Sequence, residues 1–259
     1  MHMCLILFGY QISEKYPLIL AANRDEFHQR PTAPMHFWET DPAILAGRDL
    51  EQGGTWFGIN RKGRFAGLTN YREPATVNPD AVSRGEIIID FLSSATDIPA
   101  YFNAFNATAD RYNGFNLLFG SKDELYWYSN KKKMMEKIPP GIHGLSNHFL
   151  NTPWPKIQSG KKALENIINS CITPEALFSM LTDQHRPEDK DLPDTGVGIE
   201  WERLLSPLFI QDPSYGTRSS TVMLMDKNGH VEITERTYSS KNKNRYSDCC
   251  FSFAPEAPL

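Results

Sequence analysis

Polar residues gather where apolar runs of this sequence end. Asn23-Arg24-Asp25-Glu26 directly follows the apolar residues 18–22. Two acids, a cation and an amide at the end of a core strand cannot all be buried without partners, because unpaired polar burial is costly. The pattern recurs. Asn70-Tyr71-Arg72-Glu73 closes the stretch 65–69, Ser146-Asn147-His148 follows 141–144, and Thr217-Arg218-Ser219-Ser220 opens 221–225. One such cluster reads as a surface turn with an Arg–Asp pair. Four of them on strand ends are what a pocket at the rim of a sheet requires.

Other chemistries lack their residues. There is no Gly-x-x-x-x-Gly-Lys-Ser/Thr, Gly-x-Gly-x-x-Gly, His-Glu-x-x-His or Gly-x-Ser-x-Gly motif. Carboxylates and histidines are dispersed, with no three-ligand spacing for a metal and no Cys/His pattern for zinc. No metal and no cofactor is expected. Four cysteines do not make a disulfide framework in 259 residues. The adjacent Cys249 and Cys250 cannot easily bridge each other, and Cys171, in a helical pattern, reads as an inert core thiol. Cys4 opens an apolar run and, on packing grounds alone, reads as a small buried hydrophobe.

The elements that position these groups follow from periodicity. Residues 5–9 and 18–22 are apolar runs separated by a turn-prone stretch, a hairpin. Residues 56–60 and 64–70 read as paired strands around Lys62-Gly63. Residues 83–105 are helical with a break at Pro99, and strands follow at 115–119 and 125–128. Residues 156–172 are amphipathic; Thr173-Pro174-Glu175 restarts a helix with Thr173 as N-cap and Pro174 in the first turn. The polar stretch 184–198 reads as a surface loop and Lys131-Lys132-Lys133 as a solvated turn. Asp226-Lys227-Asn228-Gly229 joins a last hairpin, 219–225 with 230–238. Helices set between antiparallel strand groups predict the α+β class, in a single domain over residues 1–259.

Composition narrows the function. With 40% hydrophobic and 22% charged residues the chain is globular. Its 27 Lys and Arg against 31 Asp and Glu leave a net charge of −4, so no basic face for nucleic acid is expected. No apolar run approaches the roughly 20 residues of a membrane span. The start lacks the features of a signal peptide, and a cytoplasmic location with a small-molecule substrate or ligand is expected.

Cys4, Asn23-Arg24-Asp25-Glu26, Gly53-Gly54-Thr55-Trp56-Phe57-Gly58, Leu68-Thr69-Asn70-Tyr71-Arg72, Gly144-Leu145-Ser146-Asn147, Pro153-Trp154-Pro155-Lys156, Gly216-Thr217-Arg218-Ser219-Ser220-Thr221 and Glu235-Arg236 carry a resemblance. Each is weak alone. In this order, from Cys4 to about Tyr238, they resemble the NRDE family, also known as the TANGO2 (transport and Golgi organisation 2) family. That family is similar to N-terminal nucleophile (Ntn) hydrolases. The resemblance implies a four-layer αββα sandwich, two stacked and mainly antiparallel sheets with outer helices.

It also implies roles. In such enzymes the first residue of the mature chain is the nucleophile, and its own α-amine is the general base. An α-amine of pKa about 7.7–8.0 is partly unprotonated near neutrality and accepts the thiol proton. The nucleophile implied here is Cys4, with Arg24 and Asp25 supporting it and its amine. Asn147 and Asn70 are the implied oxyanion donors, and Arg218 a cation near the nucleophile or a substrate carboxylate. Asn23, Trp56 and Tyr71 adjoin these motifs as candidate substrate contacts, Trp56 reading equally as core. In the family the cysteine follows the initiator Met directly; here Met1-His2 precede Met3-Cys4, so a free amine requires removal of residues 1–3.

The expected activity is hydrolysis of a small amide or thioester through Cys4. A second reading is a non-catalytic carrier of a haem-like ligand, because some eukaryotic members are implicated in haem trafficking. His28, His36, His143 and His148 would then be axial-ligand candidates, although each reads as well as a hydrogen-bonded loop histidine. If Cys4 is a nucleophile, Arg24 is expected to draw its pKa modestly below the ordinary value of about 8.5, opposed by Asp25.

Overall fold

The computed structural model describes residues 3–239 and 245–256. The chain runs β1 (Met3–Tyr10), β2 (Leu18–Phe27), β3 (Thr32–Phe37), β4 (Ile44–Asp49), β5 (Phe57–Asn60) and β6 (Phe65–Asn70). Two helices follow, α1 (Gly85–Ser93) and α2 (Ile98–Asn106), then β7 (Phe115–Gly120), β8 (Leu125–Ser129), β9 (Met134–Lys137) and β10 (Gly141–Leu145). Helices α3 (Pro155–Ser170), α4 (Pro174–Leu181) and α5 (Ile199–Leu205) precede β11 (Tyr215–Met225), β12 (Val231–Tyr238) and β13 (Tyr246–Phe253). The strands form two antiparallel sheets, ordered β10-β1-β2-β11-β12-β13 and β3-β4-β5-β6-β7-β8-β9.

Alternation decides the layers. In β1, Ile6, Phe8 and Tyr10 point between the sheets, where they meet Leu18, Leu20, Phe57 and Trp127. Leu5 and Leu7 point the other way, onto Ile157, Leu164, Leu177 and Leu181 of α3 and α4. On the far side, Ile87, Phe91, Phe102 and Phe105 of α1 and α2 cover Ala66, Leu117 and Phe119. Each fully buried aromatic or aliphatic side chain contributes about 1.5–3 kcal/mol. The order helix, sheet, sheet, helix is the expected αββα sandwich.

The helix starts follow local chemistry. Thr173 caps α4 by accepting from Ala176 N, with Pro174 in the first turn. Asp97 caps α2 in the same way through Ala100 N, so Pro99 lies in the first turn of a second helix. Lys131, Lys132 and Lys133 form a turn and pair with Glu73, Glu136 and Asp110.

Some elements differ from the sequence reading. Strands β3, β4, β9, β10 and β13 and helix α5 carry too short or too polar an alternation to announce themselves. Pro34 lies where the β3–β4 register shifts, and β13 is half exposed along its length. Cys171 is not a core thiol: it caps the C-terminus of α3 and is exposed. Among the described residues no helix is long and apolar enough to cross a membrane.

Candidate active site

The register of β1 against β2 sets Cys4 opposite Arg24 and Met3 opposite Asp25. Cys4 shares the inward phase of Ile6 and Phe8, so its side chain meets the space between the sheets. That space opens there into a cavity of about 280 Å³, lined by residues of both sheets and by the segment that starts α1. Cys4, Arg24, Asp25, Asn70, Trp56 and Arg218 all line it. Six sequence-predicted residues, drawn from separate stretches of chain, are thus brought to one concavity.

Arg218 reaches the cavity through a β-bulge. Thr217 pairs with Asp25 and Ser219 with Arg24, leaving Arg218 as the supernumerary residue of β11. A bulge re-aims a side chain and breaks the alternation of faces. Thr217 Oγ1 donates to Asp25 Oδ1 at 2.6 Å. The Arg218 guanidinium is held through Nη1 by the carbonyls of Phe27 and Arg30, each at 2.9 Å.

Two further carboxylates organise the arginines. Arg24 lies 3.6 Å from Glu26 and 3.8 Å from Asp49; Arg30 lies 2.6 Å from Asp49 and 3.7 Å from Glu26. The Asp49 carboxyl is held below its usual range by the Arg30 hydrogen bond and two backbone N–H groups, against the opposing effect of burial. Glu235, buried on the cavity wall, accepts from Met35 N at 2.7 Å, and burial pushes its carboxyl up.

The Cys4 thiol departs from expectation. Burial, with the Asp25 charge second, pushes it up to about 12, outweighing Arg24, which acts in the opposite direction. The expected modest lowering is therefore not found in the chain that carries Met3. A second buried cluster lies behind. Lys156 donates to Leu205 O at 3.0 Å; burial and then Arg72 lower it to about 8, while Asp25, Cys4 and Glu202 favour its charge. Arg72 donates to Glu202 at 2.7 Å and sits over the Trp154 ring. Lys156, Arg72 and Glu202 were given no role by sequence, although Arg72 and Lys156 stand inside the motifs quoted above.

Three candidates sit elsewhere. Asn147 is buried beside the site without lining the cavity, and its Nδ2 donates to Asn70 O at 3.0 Å. Ser146 Oγ lies 3.0 Å from Asn147 Oδ1 and 3.2 Å from Cys4 O, tying these strand ends together. Asn23, expected to meet substrate, faces the outer layer, because neighbours in a strand point to opposite sides. Its amide donates to Leu181 O and Leu208 O at 3.0 and 2.8 Å. Tyr71 packs outside the cavity on His148 and Phe149.

The four histidines are likewise placed outside it. His28 bonds Asp212 O, His36 bonds Pro34 O, His143 bonds Pro139 O and stacks on Phe8, and His148 bonds Thr152. Among the described residues no histidine lines the cavity, so the axial-ligand assignment finds no support here. Among the described residues no cluster of three His, Cys, Asp or Glu side chains is placed to hold a metal ion.

Two stacked antiparallel sheets between helix layers give the chain the fold seen in Ntn hydrolases. A mutant conjugated bile acid hydrolase from Clostridium perfringens superimposes with a TM-score of 0.50 at 10% identity, covering 100% of this chain and 99% of that one; the likeness is one of fold. The chain belongs to the Transport and Golgi organisation 2 (TANGO2) family, which it matches over residues 3–240. It is 35% identical to the Mus musculus Transport and Golgi organization 2 homolog, over 97% of this chain and 99% of the relative. It is 28% identical to Transport and Golgi organization protein 2 of Drosophila melanogaster, over 91% and 92%.

Proposed function

We propose that this protein is a thiol acyl hydrolase of Ntn type, cleaving a small amide or thioester once residues 1–3 have been removed. The observation that supports it is the convergence of Cys4, Arg24, Asp25, Asn70 and Arg218 on one cavity between the sheets. The new α-amine of Cys4 takes the thiol proton, and the thiolate attacks the substrate carbonyl. Asn70 stabilises the oxyanion, and Asn147 positions Asn70 through its backbone carbonyl. One oxyanion donor is worth about 2.7–4 kcal/mol of barrier. Collapse returns the proton from the ammonium to the departing amine or thiol and leaves a thioester on Cys4. Water, deprotonated by the same amine, then releases the acid and restores the thiol.

Asp25 and Arg24 have separable parts in this scheme. Asp25 faces the end of β1, where the released ammonium stands, and favours its charge. Arg24 favours the thiolate. With Met3 still attached the amine is an amide, the thiol stays protonated, and the cavity is a binding site only.

The test compares a chain that begins at Cys4 with one that retains Met3. Both are incubated with an acyl thioester and with a fluorogenic N-acyl aminocoumarin. A covalent acyl adduct on Cys4 and product release are expected for the first chain alone, and neither in its Cys4→Ala variant. No adduct on the folded chain that begins at Cys4 overturns the proposal.

A further inference from the structure

The arginines of the cavity are unevenly paired with carboxylates. Five arginines line it, Arg24, Arg30, Arg48, Arg84 and Arg218, against the four carboxylates Asp25, Glu26, Asp49 and Glu235. Glu26 and Asp49 are shared between Arg24 and Arg30, and Glu51 lies 3.3 Å from Arg30. Asp25 is engaged by Thr217, and Glu235 is tied to Met35 N. Among the described residues, no ion pair reaches Arg84 or Arg218. Both are half-buried; partial withdrawal of a guanidinium from water without a counter-ion carries a cost that a ligand anion offsets.

Arg84 is the most exposed to this argument. It immediately precedes α1, a helix of nine residues, and its Nη1 donates only to Gly114 O, at 3.0 Å. Burial lowers it to about 10, with the Cys4 sulfur the one group acting against that. The wall around it is built by a close crossing of two glycines: a Cβ on Gly54 would meet the Gly85 backbone at 2.7 Å. This crossing holds the N-terminus of α1 against the cavity; Glu86 N and Ile87 N already donate to Ser83 O and Arg84 O, so the helix contributes the positive end of its dipole. An independent observation comes from Arg24. Its side chain is only 8% exposed, it lines the same cavity, and its Nη1 has no hydrogen-bond partner among the described residues.

We propose that the Arg84 guanidinium and the start of α1 form an anion-binding subsite of the cavity, taking the carboxylate, phosphate or sulfonate of an acyl ligand. This rests on the cavity being the ligand site, as in the function proposed above, and not on the chemistry of Cys4. Arg84 serves as a binding residue there. Its planar fork matches a carboxylate or phosphate with two parallel hydrogen bonds, while Arg24 and Arg218 add charge from the opposite sheet.

The experiment uses octanoate, octyl phosphate and octanesulfonate against neutral octanamide, titrated by calorimetry into the full chain and into its Cys4→Ala variant. At least one anion is expected to bind about tenfold more tightly than octanamide in both proteins, and the order among the three identifies the headgroup. Arg84→Gln is expected to remove most of that preference and leave octanamide unchanged. Phenylglyoxal mapping reads the same assignment without a variant, should Arg84→Gln not fold. The preferred anion protects Arg84 from modification and octanamide does not. Equal affinity of anions and octanamide, or equal protection of Arg84 by both, overturns the subsite. Anion preference in the full chain, with no acyl adduct on the folded chain that begins at Cys4, keeps the subsite and rejects the hydrolase.

Discussion

Alkylation of Cys4 in the chain that carries Met3 is expected to run about 100-fold slower than that of an ordinary exposed thiol. Its thiol is pushed up to about 12, against an ordinary value of about 8.5, so near neutral pH it holds about 3.5 decades less thiolate. Greater basicity returns part of the loss: with a Brønsted slope of about 0.4–0.5, the scarce thiolate is about 1.5 decades more nucleophilic. The net is roughly two decades, before any shielding by the cavity walls. The assay is a timed iodoacetamide pulse at pH 7.5 on folded protein, with peptide mass spectrometry of each cysteine. Cys171 and Cys250, both exposed, are the internal references. In a chain that begins at Cys4, labelling is expected to rise at least tenfold, because the α-amine accepts the proton that Met3 denies it. Labelling of Cys4 within about threefold of Cys250 while Met3 is attached refutes the electrostatic account, in which burial and Asp25 outweigh Arg24.

Three further outcomes follow from the geometry. Arg72→Met leaves the Glu202 carboxylate buried without its cation and is expected to cost about 3–5 kcal/mol in urea unfolding, with much of it recovered in Arg72→Met/Glu202→Met; a double variant no better than the single contradicts this. Lys156, held near 8 in the fold against 10.5 when free, sheds its proton in the folded chain first, so stability rises with pH from about 8. The raised Cys4 thiol acts oppositely, its contribution being present below the ordinary value of about 8.5 and lost as pH rises towards about 12. Lys156→Met is therefore expected to remove a rise of about 1 kcal/mol between pH 8 and 9, and an unchanged slope rejects the assignment. Gly54→Ala drives a methyl into the Gly85 backbone and is expected to destabilise by about 1–3 kcal/mol; a thermal midpoint equal to wild type rules that contact out.

The strands that build the inter-sheet core were legible because their apolar residues alternate or run continuously, as in 5–9, 18–22 and 115–119. Strands β3 and β13 were not, since Pro34 interrupts one and the other presents five of its eight residues to solvent. The site was legible where chemistry and strand end coincide, at Cys4, Arg24, Asp25, Asn70 and Arg218. Asn23 was misplaced because a polar quartet read from sequence carries no face, whereas in the strand Asn23 and Arg24 look in opposite directions. Arg84 had no signal at all. It stands in an unremarkable Ser83-Arg84-Gly85, and only the crossing of Gly54 against Gly85 brings it to the cavity. The height of the Cys4 pKa was also hidden, because desolvation is a property of the assembled layers and not of a motif.

The bulge at Arg218 makes chain length, and not residue identity alone, a determinant of the site. Thr217 and Ser219 stand two positions apart, a spacing that puts residues on the same side of a regular strand. With one residue between them left out of the pairing, they turn to opposite sides, Thr217 to Asp25 and Ser219 to Arg24. A deletion at 218 restores the ladder with Thr217 still opposite Asp25 and Ser219 still opposite Arg24, and it removes the side chain that the bulge aims into the cavity. Tyr215 then keeps its contacts with Phe27 and Trp201, and Asp25 keeps the Thr217 hydroxyl that holds it. Sequence comparison across β11 therefore has to keep its gap placement fixed at this position. An alignment shifted by a single residue here assigns residues 215–217 to the opposite face of the strand.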